Sequence, residues 1–133
     1  MNIGLVAHDH KKDALCEWSV SHRQRLAKAT IYATGTTGKR LAEACPELII
    51  HPLKSGPLGG DQQLGAMICE GRLNVLVFFI DPLSPHPHDV DVKALVRLAT
   101  LYNIPHASNL ATADIIIAAL DVLPAPKPLH RLD

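Results

Sequence analysis

Residues 75–80 read Val-Leu-Val-Phe-Phe-Ile, an unbroken apolar run. Six residues are far too few to cross a bilayer. Their β-branched and aromatic character favours a strand over a helix. A strand with one solvated face alternates polar and apolar residues, whereas an unbroken run suits a strand covered on both faces, as in parallel sheets. The rest of the chain supplies partners and covers. Residues 3–7, 30–33, 48–52 and 106–108 are further short strand-like runs. Between them lie helical stretches at 11–25, 39–44, 61–69, 90–102 and 112–120. Leu15, Trp18, His22 and Leu26 line one face of the first stretch, and Val92, Leu95, Leu98, Ala99 and Tyr102 one face of the fourth. Strands alternating with helices predict an α/β fold, a parallel sheet with helices on both faces. The chain reads as one domain over residues 1–133, with a core at about 3–117 and an irregular proline-rich tail at 121–133.

Charge narrows the function classes. Lysine plus arginine equals aspartate plus glutamate, 13 of each. No global field attracts nucleic acid or an anionic membrane, so neither is expected as a partner and an anionic ligand must be held locally. The first residues carry no basic segment followed by a long apolar one, which predicts a cytoplasmic protein. Cys16, Cys45 and Cys69 are odd in number and widely spaced, and are read as buried free thiols in a reducing compartment.

In open parallel sheets ligands bind beyond the carboxyl ends of the strands. The polar clusters fall there: His8-Asp9-His10 after the first strand, residues 34–38 (Thr-Gly-Thr-Thr-Gly) after the second, residues 54–61 after the third, residues 81–91 after the fourth and Asn109 after the fifth. All five could converge on one crevice. Residues 34–38 read either as an anion cradle, with backbone N–H groups and hydroxyls at a helix start, or as a plain capped turn. Ser55 and Gly56 could add donors, and Lys12 a positive charge or merely a solvated side chain. Asp61 opens a helix after two glycines; it is either a carboxylate favoured by the helix dipole or a functional group beside glycines that let a substrate approach the backbone closely. Asp89 could cap the next helix, while His88 and Asp91 could face a ligand together. His8, His10, His86 and His88 could ligate a metal, but no zinc-type spacing supports this, so no metal is expected.

Six segments, VAHDHKK, YATGTTG, LKSGPLGGDQQLGA, VLVFFIDPL, PHDVDVKALVRLAT and NIPHASNLATAD, resemble the methylglyoxal synthase family closely. The resemblance runs from about residue 3 to 117. It implies a single Rossmann-like domain with a five-stranded, mostly parallel sheet, assembled as a homohexamer. It also implies a lyase that needs no cofactor and converts dihydroxyacetone phosphate to methylglyoxal and inorganic phosphate, with phosphate as an inhibitor and a place in a glycolytic bypass. Carried onto this chain, the catalytic base falls on Asp61 and its partners on His88 and Asp91. His8, Asp9 and Asp81 line the site, with Asp9 among the catalytic group. Phosphate binding falls on Lys12, Thr34, Gly35, Thr36, Thr37, Ser55 and Gly56.

The chemistry suits these residue types. A carboxylate can take the C3 proton beside the carbonyl, a neutral imidazole can donate to the developing oxyanion, and a fixed phosphate can then leave from C1. The alternative is a non-catalytic effector-binding domain of the same fold. Such a domain would keep the threonine and glycine cradle but would not need Asp61, His88 and Asp91 together.

Overall fold

The computed structural model describes residues 1–85 and 89–123. Five strands, β1 (Asn2–Ala7), β2 (Thr30–Thr34), β3 (Ile49–Leu53), β4 (Val75–Phe79) and β5 (His106–Ala107), form one sheet in the order β3-β2-β1-β4-β5. Every pairing is parallel. The helices are α1 (Lys12–Ser21), α2 (Arg23–Leu26), α3 (Gly35–Ala44), α4 (Gly60–Cys69), α5 (Asp89–Leu101) and α6 (Leu110–Ala118), with 3₁₀ turns at Asp9–Lys11, Gly56–Leu58 and Leu120–Val122. Among the described residues no helix is long and apolar enough to cross a membrane.

The unbroken apolar run does what its composition dictates. All five residues of β4 are buried. Val75, Val77 and Phe79 join Leu15 and Trp18 of α1, Leu41 of α3 and Ile117 of α6. Leu76 and Phe78 join Leu64 and Ile68 of α4 and Leu95 of α5. Truncating such fully buried leucines to alanine typically costs about 2–5 kcal/mol each. The chain starts in the middle of the sheet, winds outward to β3, then returns to β4 on the other side of β1. That reversal opens a crevice at the carboxyl ends of β1 and β4. At the far side β3 is an edge strand, with Ile49, His51 and Pro52 exposed and Pro52 in register with Ala33.

Several local expectations are corrected. The helix expected over 11–25 breaks at His22 (φ −112°, ψ 21°). The second piece turns to bury Leu26, and the chain enters β2 with Thr30 N–H bonded to the Met1 carbonyl. The next helix begins at Gly35 rather than at 39, so the threonine and glycine segment is its first turn. The last begins at Leu110, because Asn109 caps it by accepting the Thr112 N–H at 3.0 Å. Asn109 therefore serves that helix and does not join the crevice cluster. Residues 120–122 form a 3₁₀ turn that buries Leu120, so order extends into the segment expected to be irregular; 124–133 lie outside the described residues. Of the three free cysteines only Cys45 is buried; Cys16 is half-buried and Cys69 exposed.

Candidate active site

A cavity of about 240 Å³ lies at the carboxyl end of the sheet. His8, Asp9 and Lys12 reach it from the β1 side, Thr34 and Gly35 from the end of β2, Ser55 and Gly56 from the segment after β3, and Asp61 from the first turn of α4. Those eight residues, assigned to the site from sequence, share one space. Val6, Ala7, Pro57 and Phe78 complete the wall and were not singled out for the site in sequence; Phe78 reads there only as core.

The start of α3 decides between an anion cradle and a capped turn. Thr34 is its N-cap in extended conformation (φ −88°, ψ 148°), yet its side chain makes no capping hydrogen bond. The first N–H groups of α3 thus keep their hydrogen-bonding capacity and the positive end of the helix dipole. Gly35 enters the helix at φ 53°, and an added Cβ would lie 3.3 Å from Ser55 Cα. The close approach of these two segments therefore favours glycine. Lys12 Nζ donates to Thr36 Oγ1 at 2.9 Å and pairs with Asp9 Oδ1 at 2.8 Å, which sets the ammonium beside the helix start. Lys12, by its hydrogen bond and then its charge, holds the Asp9 carboxyl below its ordinary range. The Thr37 hydroxyl is buried in the same turn and makes no hydrogen bond among the described residues. A buried hydroxyl in that condition costs about 1–3 kcal/mol.

Asp61 is only 3% exposed. A carboxylate favoured only by the dipole has no reason to be so deeply covered, whereas one recessed at the wall of a cavity does. The glycines before it are explained by the chain itself. Gly59 caps α4 at φ 110°, and a Cβ on Gly60 would lie 2.0 Å from the Lys54 carbonyl oxygen. Gly60 thus admits the chain's own backbone, which corrects the reading in which that glycine admits substrate. Asp91, half-buried in the first turn of α5, shares with Asp61 a shallower groove between α4 and α5.

His8 is buried, edge-on to Phe78 with ring centroids 5.1 Å apart. The Asp81 backbone N–H donates to His8 Nδ1 at 2.9 Å. A nitrogen that accepts carries no proton, so the neutral ring holds its hydrogen on Nε2. Asp81 thus acts on the site through its backbone. Its side chain does not line the cavity; it accepts the Leu83 N–H at 3.0 Å and lies 3.3 Å from His10 Nδ1. The Ser84 hydroxyl foremost, then the Leu83 N–H, keeps its carboxyl below the ordinary range. His86 and His88 lie outside the described residues. Among the described residues, no group of three or more His, Cys, Asp or Glu side chains is placed to hold a metal ion.

Comparison with known proteins gives the chain's family. A family model for the MGS-like domain matches residues 15–108. The methylglyoxal synthase of Brucella ovis is 60% identical over 121 residues, covering 91% of this chain and 97% of that protein. That of Brucella anthropi is 60% identical over the same length. The crystal structure of methylglyoxal synthase from Elizabethkingia anophelis NUHP1 matches with a TM-score of 0.82 and 49% identity, over 88% of this chain and 76% of that one. Identity of 60% sustained over 91% of the chain, on the same sheet architecture, settles its kinship: the chain belongs to the methylglyoxal synthase family.

Proposed function

We propose that this cavity converts dihydroxyacetone phosphate to methylglyoxal and inorganic phosphate, with Asp61 as the base. The observation that carries the reading is the meeting, in one cavity, of a buried carboxylate with a helix start whose N-cap side chain does not cap it and a lysine. The phosphate binds at the N-terminus of α3, held by Lys12, Thr34, Gly35, Thr36 and Thr37 on one side and by Ser55 and Gly56 on the other. Asp61 takes a proton from C3, and the electron pair moves onto the carbonyl oxygen. His8, with its proton on Nε2, is one donor for that oxyanion, and His88 is assigned the same task by family resemblance. Asp91 and Asp9 are assigned a part in the proton transfers by family resemblance, and Asp81 orients His8 through its backbone N–H. The C1–O bond then breaks, phosphate departs from the cradle, and the enol product becomes methylglyoxal. Elimination requires that bond to stand out of the enediol plane, so the cradle must fix the phosphate in that posture. A binding-only effector domain has no use for a buried carboxylate beside a bound anion.

The same reading makes inorganic phosphate an inhibitor, the assembly a homohexamer and the compartment the cytoplasm. Light scattering that returned only a 14.4 kDa particle at micromolar concentration would count against the hexamer. The decisive assay follows methylglyoxal and free phosphate from dihydroxyacetone phosphate, in the parent and in Asp61→Asn. Removing a general base lowers turnover by about 10²–10⁴-fold. Solvent exchange of the C3 hydrogen should fall in parallel, with unchanged circular dichroism. Asp61→Asn with parental exchange and turnover would move the base to Asp91 or Asp9.

A further inference from the structure

Gln63 does not line the cavity, yet it ties together two elements that do. Lys54 follows the last residue of β3, just beyond the ladder, whose final pair is Thr34 with Leu53. The strand pairing thus ends before the Lys54 N–H, and the half-buried Gln63 side chain meets it: Oε1 accepts that N–H at 2.8 Å. The other side of the same residue is pinned as well, because the Lys54 carbonyl oxygen packs against Gly60 so closely that no Cβ fits there. The next carbonyl, that of Ser55, accepts both the Leu58 N–H at 3.0 Å and the Gly60 N–H at 2.9 Å. Residues 54–60 are thus closed into a bracket on the first turn of α4, and Gln63 is its side-chain clasp. One end of the bracket carries Ser55 and Gly56, the other Asp61.

We propose that Gln63 is a positioning residue that sets the distance between the Ser55–Gly56 anion contacts and the Asp61 carboxylate. The proposal rests on the reading of Asp61 as base. A clasp of this kind does not bind substrate; it fixes where the base stands relative to a phosphate held elsewhere. Losing it should act on kcat more than on phosphate affinity, because Lys12 and the start of α3 lie outside the bracket. Misplacement by about 1 Å can cost on the order of 10²-fold in rate.

The test compares Gln63→Met, Gln63→Ala and Gln63→Glu. Methionine keeps the length and helix propensity but cannot accept the N–H, whereas a glutamate oxygen can. The expected result is a kcat lowered about 10- to 100-fold in the methionine and alanine variants. The inhibition constant of inorganic phosphate should move by less than about 3-fold, and glutamate should recover most of kcat. Amide hydrogen exchange at Lys54 should accelerate in the methionine and alanine variants and be slowed again by glutamate. That readout needs no turnover, so it separates the two ideas. A parent that makes no methylglyoxal but shows the Lys54 protection pattern overturns the functional reading and not the clasp. Folded methionine or alanine variants with parental kcat overturn the positioning role. So does a glutamate variant no better than alanine, an outcome that stays decisive if the methionine variant fails to fold.

Discussion

Adding a single methyl group at residue 60 should be among the most damaging changes available to this chain. The Cβ of Gly60→Ala would lie 2.0 Å from the Lys54 carbonyl oxygen and 2.9 Å from Thr34 Cγ2. The oxygen must retreat by more than about 1 Å to reach even a tight contact. It cannot swing freely, because the Lys54 N–H is bonded to Gln63 and the Ser55 carbonyl to two further amides. Overpacking costs about 1–3 kcal/mol, and a backbone obstacle places this case at the upper end. Unfolding entropy is about 2.1 cal/mol/K per residue, or roughly 0.28 kcal/mol/K for 133 residues, so 3 kcal/mol lowers Tm by about 10 °C. The displaced segment carries Ser55 and Gly56, so kcat/KM should fall by about 10²-fold as well. Gly59→Ala is the control. Its Cβ meets nothing within 4 Å, and the strain comes only from φ 110°. That strain amounts to about 1–2 kcal/mol, or roughly 4–7 °C. Thermal melts followed by circular dichroism, with the methylglyoxal assay, give both quantities. A Gly60→Ala protein melting within about 3 °C of the parent with parental kcat/KM would refute the reasoning, as would a reversed order of the two variants.

The double variant Thr36→Ala, Thr37→Ala should weaken inhibition by inorganic phosphate by more than about 10-fold, since hydrogen bonds to a charged group contribute about 1.5–3 kcal/mol each; an unchanged inhibition constant would misplace the cradle. Turnover should survive exhaustive treatment with a chelator, because the proposed reaction assigns both the base and the oxyanion donors to side chains; activity lost with EDTA and restored by a divalent ion would contradict this. Glu47, hydrogen-bonded to Arg23 with one contact at 2.8 Å, has its carboxyl pushed down to about 2 from an ordinary 4.5, chiefly by that hydrogen bond. A lowered value means the pair stabilises the fold above about pH 4.5 and is lost as pH falls towards 2. The Tm gap between parent and Glu47→Gln should therefore be largest above pH 4.5 and close towards pH 2; a gap independent of pH would exclude the ion pair as its source.

Strand positions were legible because burial on both faces imposes a composition that few other environments tolerate, as the run at 75–80 shows. The candidate site was legible in part through topology, since a parallel sheet puts the clusters after β1, β2 and β3 at one end, although Asn109 after β5 does not line the cavity. What escaped depends on distant partners. The early start of α3 runs against the turn propensity of glycine and threonine, and lies where Gly35 comes so near Ser55 that a Cβ would be tight. The break at His22 lies where Trp18 Nε1 donates to Asp114 at 3.0 Å, nearly a hundred residues away in sequence. Asn109 announces a cap as readily as a ligand contact, and only the Thr112 N–H decides. Gln63 sits in a helical pattern where glutamine is unremarked, and its task depends on an amide nine residues earlier.

The open side of β3 bears on how the protein behaves in a crowded solution. A bare strand edge is a template on which another chain can add rungs, the first step towards fibrous deposits. Here Ile49 on that strand is itself 57% exposed, an apolar side chain that would invite such recruitment. Pro52 lies in the same five-residue strand, in register with Ala33, and has no N–H to offer an incoming backbone. An added strand would meet an interrupted ladder on a segment too short to compensate elsewhere. Among the described residues no further strand pairs with β3, and one imino acid thus helps the sheet stop where the fold needs it to stop.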